Sequence, residues 1–397
     1  MLSRTYLEYR TAFAHIAKPF AYLDLDLLEE NMKQIIQRAQ GKRIRIASKS
    51  LRSVALIKRI LSAADCFSGV MCFTIPEALY LSQQGLDDLL VAYPAWERSH
   101  LEQVLKLNSE GKVLTVMVDS SVHLKHLEDI ARAHGGQFRV CIDVDMSLSL
   151  PALHFGVRRS PVRTSSEVEL LVKKIMASPH LHLDGIMGYE AQIAGVGDHY
   201  PGQWVKNKMI HWLKQRSIRD VAKKRRIMVE AIEKLGCQPR FVNGGGTGSL
   251  ASTCQEEVVT EVTVGSGFYS PVLFDYYREF RYQPAAGFAL EIVRVPDVNH
   301  FTCLGGGYIA SGSTGTDKTP KPYLPDGLRL LAMEGAGEVQ TPVYSPRWMD
   351  LQLGDPIFFR HSKAGELCER FRYLYLYQGG QVVERVTTYR GDEQCFL

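Results

Sequence analysis

Arg43-Ile44-Arg45-Ile46-Ala47-Ser48-Lys49-Ser50-Leu51-Arg52-Ser53 is the stretch whose reading decides the fold. Ile44 to Ala47 have the apolar, β-branched character of a short buried strand. The strand ends at a small polar residue and a single lysine, Lys49, and an amphipathic run with Val54, Leu56, Ile57, Ile60 and Leu61 follows. A lysine at the C-terminal mouth of a strand, with a helix beginning beside it, stands where an α/β barrel keeps its chemistry. A solvated loop lysine fits the same eleven residues, so the rest of the chain has to decide.

Moving outward, strand-like runs recur at 44–47, 67–72, 88–92, 113–118, 138–144, 183–188, 240–243 and 259–264. Helical patterns at 76–84, 97–108, 121–134 and 165–178 separate them. Apolar strands alternating with amphipathic helices imply a parallel sheet, and eight such repeats favour a closed (β/α)8 TIM barrel. Ahead of the barrel, residues 1–18 read as an arm or short helix, 20–26 as a strand and 27–40 as a helix. Beyond Tyr276 helical periodicity stops. Runs at 287–294, 301–304, 338–343, 356–360 and 371–377, broken by turns such as Gly305-Gly306-Gly307 and Leu324-Pro325-Asp326-Gly327, predict a C-terminal antiparallel β-domain. The expected division is an arm (1–18), a barrel (19–285) and a β-domain (286–397).

Composition excludes several classes. Of 397 residues 45% are hydrophobic and 23% charged, and a net charge of +4 points neither to nucleic acid nor to an anionic membrane surface. The basic segment Val205–Leu235, with Lys223-Lys224-Arg225-Arg226, reads as long helices whose solvated face is basic and whose buried side carries Ile210, Leu213, Ile218, Val221, Ile227, Val229 and Ile232. Eight scattered cysteines without C-x-x-C spacing suit reduced thiols. No uncharged apolar run reaches about 18 residues and the N-terminus lacks a signal core, so a soluble, cytoplasmic protein is expected.

After the seventh strand comes Asn243-Gly244-Gly245-Gly246-Thr247-Gly248-Ser249, and after the eighth Gly265-Ser266-Gly267-Phe268-Tyr269. Glycines flanked by hydroxyls let backbone N–H groups wrap a phosphate, and barrels bind phosphate in this neighbourhood. A strand-end lysine can form a Schiff base with an aldehyde while the phosphate cup holds the other end of the same molecule. Pyridoxal 5'-phosphate meets both requirements.

The segments Pro19–Asn31, Ile44–Ser50, Gly185–Tyr189, Asn243–Ser249 and Thr260–Gly267 resemble the fold-type III pyridoxal-phosphate enzymes, whose barrel is the alanine racemase N-terminal domain. The similarity is greatest to the D-threonine aldolase and D-serine dehydratase branch. That resemblance implies a homodimer, Lys49 as Schiff-base lysine and Cα base, Asn243 beside the cofactor, and Gly245, Gly246, Thr247, Gly265 and Ser266 on the phosphate. It implies Tyr189 beside the ring or phosphate, and Asp275 near the site mouth or as a helix cap.

Two departures stand out. Where relatives carry Arg-x-Gly-Val after the fifth strand, this chain has His154-Phe155-Gly156-Val157, so His154 takes the arginine's place and Arg158 is expected to supply the cation. Counting from Gly354-Asp355, the relatives' metal-ligand pair falls on Lys363 and Gly365, neither a normal ligand, while His361 and Cys368 are out of register. No divalent metal is therefore expected, and Lys363 is a candidate electrophile near a substrate β-hydroxyl.

These features together predict a pyridoxal-phosphate-dependent lyase of aldolase or dehydratase type acting on a small β-hydroxy D-amino acid. One alternative is an amino-acid racemase using Tyr308, Tyr323 or Tyr344 as second acid/base. Another is a non-catalytic carrier of the cofactor, which the extra β-domain of about 110 residues argues against.

Overall fold

The computed structural model describes residues 3–150, 153–313 and 315–397. It divides into two compact units, one of Met1–Gln34, Ser50–Ala55 and Ser266–Cys395 and the other of Ile35–Lys49, Leu56–Gly265 and Phe396–Leu397.

The second unit is a closed parallel barrel. Its strands are Arg43–Ala47, Phe67–Cys72, Leu89–Pro94, Leu114–Val118, Phe138–Asp143, Leu181–Gly188, Phe241–Gly244 and Glu261–Val264. The eighth returns to the first through Val264 opposite Ile46, which closes the ring. The eight runs expected from sequence are these eight strands. The helices between them are capped as their sequences dictate: Thr74 receives the Glu77 N–H, Ser120 that of His123, and Thr164 with Glu167 forms a capping box. Inside the barrel, Leu90, Met117, Cys141, Met187 and Phe241 form an apolar layer. Burying a large apolar side chain of this kind contributes about 1.5–3 kcal/mol.

At the N-terminal end of the barrel an ion network replaces that apolar layer. Arg45, fully buried, donates to Glu261 at 2.7 and 2.9 Å and to the Asp88 carboxylate at 3.1 and 3.2 Å. Asp184, also fully buried, accepts from Arg139, Arg240 and Thr115. Active-site chemistry belongs to the opposite, C-terminal face of such barrels, which leaves this network a structural role.

The basic segment forms one helix, Trp204–Lys234, with Ile210, Leu213, Val221, Val229 and Ile232 buried. Two details correct the expectation. Ile227 is 42% exposed, and Arg225 of the basic run is 1% exposed. Arg225 is drawn inside because it ion-pairs with Glu190 and Glu256.

The other unit is a nine-stranded sheet running Arg329–Leu330, Gln340–Tyr344, His300–Leu304, Ala286–Asp297, Phe20–Asp24, Tyr373–Gln378 and Gln381–Thr387, with Lys321–Leu324 and Pro356–Arg360 joined beside Ala286–Asp297. Phe20–Asp24 lies here rather than with the barrel. It pairs antiparallel with Ala286–Ala289 and parallel with Leu374–Tyr377, within the unit that also takes in Ser266–Cys395. The arm forms a helix, Tyr6–Ala12, held by a capping box between Thr5 and Glu8. Tyr9 and Phe13 pack on Tyr22, Phe358 and Tyr377.

Candidate active site

Lys49 follows the first barrel strand within a single 3-10 turn, Ser48–Ser50, and its side chain is exposed. Ser48, buried, fixes the turn by donating to the Met71 carbonyl at 2.9 Å. Lys49 Nζ donates to the Tyr93 hydroxyl at 3.3 Å. Tyr93 is the penultimate residue of the third strand, and Arg159 stands over its ring at 5.9 Å from the centroid. Burial would raise the Tyr93 phenol, but Lys49 and Arg159 outweigh it and hold the group below its ordinary value. Asp143 ends the fifth strand; burial, then the Asp119 carboxylate, push its carboxyl up to about 7 against the opposing pull of Arg159.

The glycine loop is held from below. Arg225 donates to the Gly188 carbonyl at 2.9 Å and to Glu190 at 2.8 Å. Glu190 in turn accepts from Ser249 at 2.8 Å and from Thr253 at 2.5 Å. This buried clamp ties the loop after the seventh strand to the end of the sixth, where Tyr189 sits. Gly245 has φ +81°, which only glycine adopts without strain. A Cβ on Gly246 would lie 3.0 Å from the Ala194 Cβ and 3.2 Å from Tyr189 Cε2, so the loop backbone is pressed against the tyrosine ring. Burial, then Glu190, push the Tyr189 phenol up to about 12, keeping it protonated as a donor. Ser249 accepts from the Gly246 N–H at 3.1 Å, and the Thr247 carbonyl accepts from Arg38 at 3.1 Å.

The structure places the expected residues unevenly. Lys49, Tyr189, Gly245, Gly246, Thr247 and Gly265 all belong to the C-terminal strand ends of the barrel. Asn243 does not line a loop. Its amide donates to Glu261 at 2.8 Å and to Thr263 at 2.9 Å inside the barrel, and it is 1% exposed. Arg158 is exposed, and Arg159, one residue on, is the arginine that meets Tyr93. His154 lies on a short hairpin, Leu148–Leu150 with Leu153–Phe155, its Nδ1 3.3 Å from Ser149 Oγ and its Nε2 buried without a hydrogen-bond partner among the described residues.

In the other unit, Ser266 begins a single helical turn, and its Oγ lies 3.3 Å from that of Ser50. Lys363 donates to the carbonyl and hydroxyl of Ser311 at 3.2 and 3.4 Å. Asp275 forms a two-pronged pair with Arg360 at 2.7 and 2.8 Å. His361 is buried and its imidazole is pushed down to about 3 by burial, then by Arg360. Burial pushes the Cys368 thiol up to about 12. Among the described residues no three His, Cys, Asp or Glu side chains are grouped to hold a metal ion.

Sequence reasoning missed Tyr93, Arg159, Glu190 and Arg225. A tyrosine at a strand's end, Ala92-Tyr93-Pro94, was the available signal for the first. The clamp had none, since Arg225 sits in what reads as a solvated basic run.

Residues 23–271 match the family model described as alanine racemase, N-terminal domain. Over 267 residues the chain is 27% identical to a 3-hydroxy-D-aspartate aldolase of Paracoccus denitrificans, covering 67% of this chain and 63% of that protein. A D-threo-3-hydroxyaspartate dehydratase of Delftia is 32% identical over 129 residues, 32% of this chain and 33% of the relative. Among solved structures, D-threonine aldolase from Filomicrobium marinum superposes with a TM-score of 0.79 at 19% identity, covering 95% and 96% of the two chains. An alanine racemase from Clostridium difficile gives 0.67 at 14% identity, covering 94% and 99%.

Proposed function

This chain belongs to the alanine racemase N-terminal domain family, and from that premise we propose that it is a pyridoxal-phosphate-dependent lyase acting on a small β-hydroxy D-amino acid. The observation that carries the reading is Lys49, presented at a barrel mouth 3.3 Å from the Tyr93 hydroxyl. The residues present suit the cofactor: a lysine for its aldehyde, a loop backbone pressed so close to Tyr189 that a Cβ at Gly246 would crowd the ring, and hydroxyl and glycine groups for its phosphate. Lys49 would hold the aldehyde carbon, Gly245, Gly246, Thr247 and Gly265 the phosphate, and Tyr189 the ring side. Bound there, the cofactor supplies an electron sink for the charge left on the substrate Cα.

The remaining work falls to the chain's own groups. Lys49 moves the proton at Cα when the β-hydroxyl departs, and a base that takes the β-hydroxyl proton serves Cα–Cβ cleavage. Asp143, with its carboxyl raised toward neutrality, has the poise of such a proton carrier. The reading carries no divalent metal, because the positions expected to ligate hold Lys363 and Gly365. It includes a cytoplasmic homodimer. The names of the aldolase and dehydratase relatives support the substrate class.

The test is product analysis with added pyridoxal phosphate and D-threonine, D-serine or D-threo-3-hydroxyaspartate. Glycine with an aldehyde identifies an aldolase, and ammonia with a 2-oxo acid a dehydratase. Turnover of D-alanine to L-alanine with no lyase product would replace this reading by a racemase, and no product at all would leave the carrier.

A further inference from the structure

We propose that Asp119 is a positioning residue for Asp143: the two carboxyl groups stand side by side at the barrel mouth, hold one proton between them, and carry it as a pair to and from a substrate β-oxygen. The inference rests on the lyase reading above for the use of that proton, whereas the pairing is a property of the chain alone.

The register of the barrel makes the pair. The fourth and fifth strands run parallel, with Met117 beside Cys141 and Val118 beside Ile142, so the next step along both sets Asp119 beside Asp143. Neighbouring strands lie about 4.8 Å apart. Met117 and Cys141 belong to the apolar layer inside the barrel, and a side-chain period of two points Asp119 and Asp143 the same way, one layer higher. That layer lies at the C-terminal end, where Lys49 leaves the first strand. His123, in the first turn of the following helix, brings Nδ1 to 2.9 Å from Asp119 Oδ1 and holds that carboxylate in place. The backbone at Asp143 is held as well. Ser160 donates to its carbonyl at 2.8 Å, and the Val144 N–H donates to the Met187 carbonyl at 2.9 Å.

Two neighbouring carboxylates disfavour each other's ionisation. From the fourth strand's end Asp119 favours a proton on Asp143, and from its own segment Asp145 does the same. Arg159, from the segment after the hairpin, opposes them, and Asp145 is offset by Arg163 at 3.0 Å. The remaining neighbours are neutral: the Tyr189 phenol after the sixth strand, and the Cys141 thiol beneath, pushed up by burial and then by Asp143. One carboxylate against one guanidinium leaves burial to decide, and burial favours the protonated acid. Removing Asp119 leaves Arg159 opposed chiefly by burial, and the proton is held less firmly. Given up, that proton leaves Asp143 as a carboxylate and turns a departing β-hydroxyl into water, the Cβ–O bond breaking with its electron pair on oxygen. Taken back, it comes from a β-hydroxyl whose oxygen becomes a carbonyl, the Cα–Cβ bond breaking with its pair on Cα.

The experiment uses the full chain without added cofactor, labelled with 13C at the aspartate carboxyl carbons and titrated by NMR. Asp143→Asn identifies the Asp143 signal and Asp119→Glu that of Asp119. In wild type the Asp143 carbon should titrate near about 7, against an ordinary value of about 3.9, and the Asp119 carbon should sense the same transition, as coupled pairs do. In Asp119→Asn the Asp143 midpoint should fall by about one unit or more, a tenfold or greater loss of proton affinity, while Asp119→Glu keeps it within about half a unit of wild type. A merely structural Asp119 would leave the midpoint where burial sets it. An Asp143 carbon titrating in the ordinary range, or a midpoint unmoved by Asp119→Asn, overturns the proposal. So does an Asp119 carbon blind to the Asp143 transition, which keeps the test alive if Asp119→Asn fails to fold. Because no cofactor is involved, the pairing holds or fails independently of whether pyridoxal phosphate binds.

Discussion

Replacing Arg45 by methionine tests whether the ion network, rather than apolar packing, holds the N-terminal end of the barrel. Arg45 is fully buried and contacts Glu261 through two hydrogen bonds, the Asp88 carbonyl at 2.7 Å and the Asp88 carboxylate. Removing one partner of a buried pair costs about 3–5 kcal/mol, because the remaining charge is stranded. Glu261 keeps one neutral donor, Asn243 at 2.8 Å, and Asp88 keeps Arg240 at 3.0 Å. These retained contacts set the expected loss at the lower end, about 3 kcal/mol, and a fall in Tm of about 4 °C. Urea unfolding of Arg45→Met, Glu261→Gln and the double variant forms a double-mutant cycle. Removing both charges should recover much of the loss, with a coupling of about 1–3 kcal/mol. A single-variant loss below about 1 kcal/mol, or additive single effects, would show that the network is incidental.

Gly185 and Asp143 give further tests. A Cβ on Gly185 would fall 2.2 Å from the Phe241 ring on the neighbouring strand, so Gly185→Ala should destabilise by about 1–3 kcal/mol, and unchanged chemical denaturation would refute that packing. Asp143 is raised to about 7 from an unfolded value near about 3.9, so the folded state holds the extra proton and the associated stability declines as pH rises through that window. Asp143→Asn should therefore gain stability over wild type at about pH 8 and lose that advantage near about pH 4, as read by Tm; a pH-independent difference would contradict the assignment.

How much of this was legible in the sequence follows from the range of the forces involved. The eight barrel strands were readable because strands buried on both faces are near-continuous apolar runs, and the helices between them carry local caps such as Thr164 with Glu167. Phe20–Asp24 was readable as a strand but not as part of the β-sheet unit. Its partners, Ala286–Ala289 and Leu374–Tyr377, lie hundreds of residues away, and no local pattern encodes that pairing. Lys49 and the glycine loop stand out in the sequence because both directly follow readable strands, and the structure has them at strand ends. The resemblance put Asn243 beside the cofactor, and the structure shows what no motif encodes, that its amide donates to Glu261 and Thr263 inside the barrel. Arg158 and Arg159 are adjacent, and only the backbone path after the hairpin decides which of them meets Tyr93.

The central claim is that Lys49 carries pyridoxal phosphate, and absorbance tests it most directly. Purified wild-type protein mixed with the cofactor should develop a band near about 420 nm that borohydride abolishes and that Lys49→Ala never forms, with the label recovered on the Lys49 peptide. Absence of the band in wild type, or its persistence in Lys49→Ala, would contradict the account.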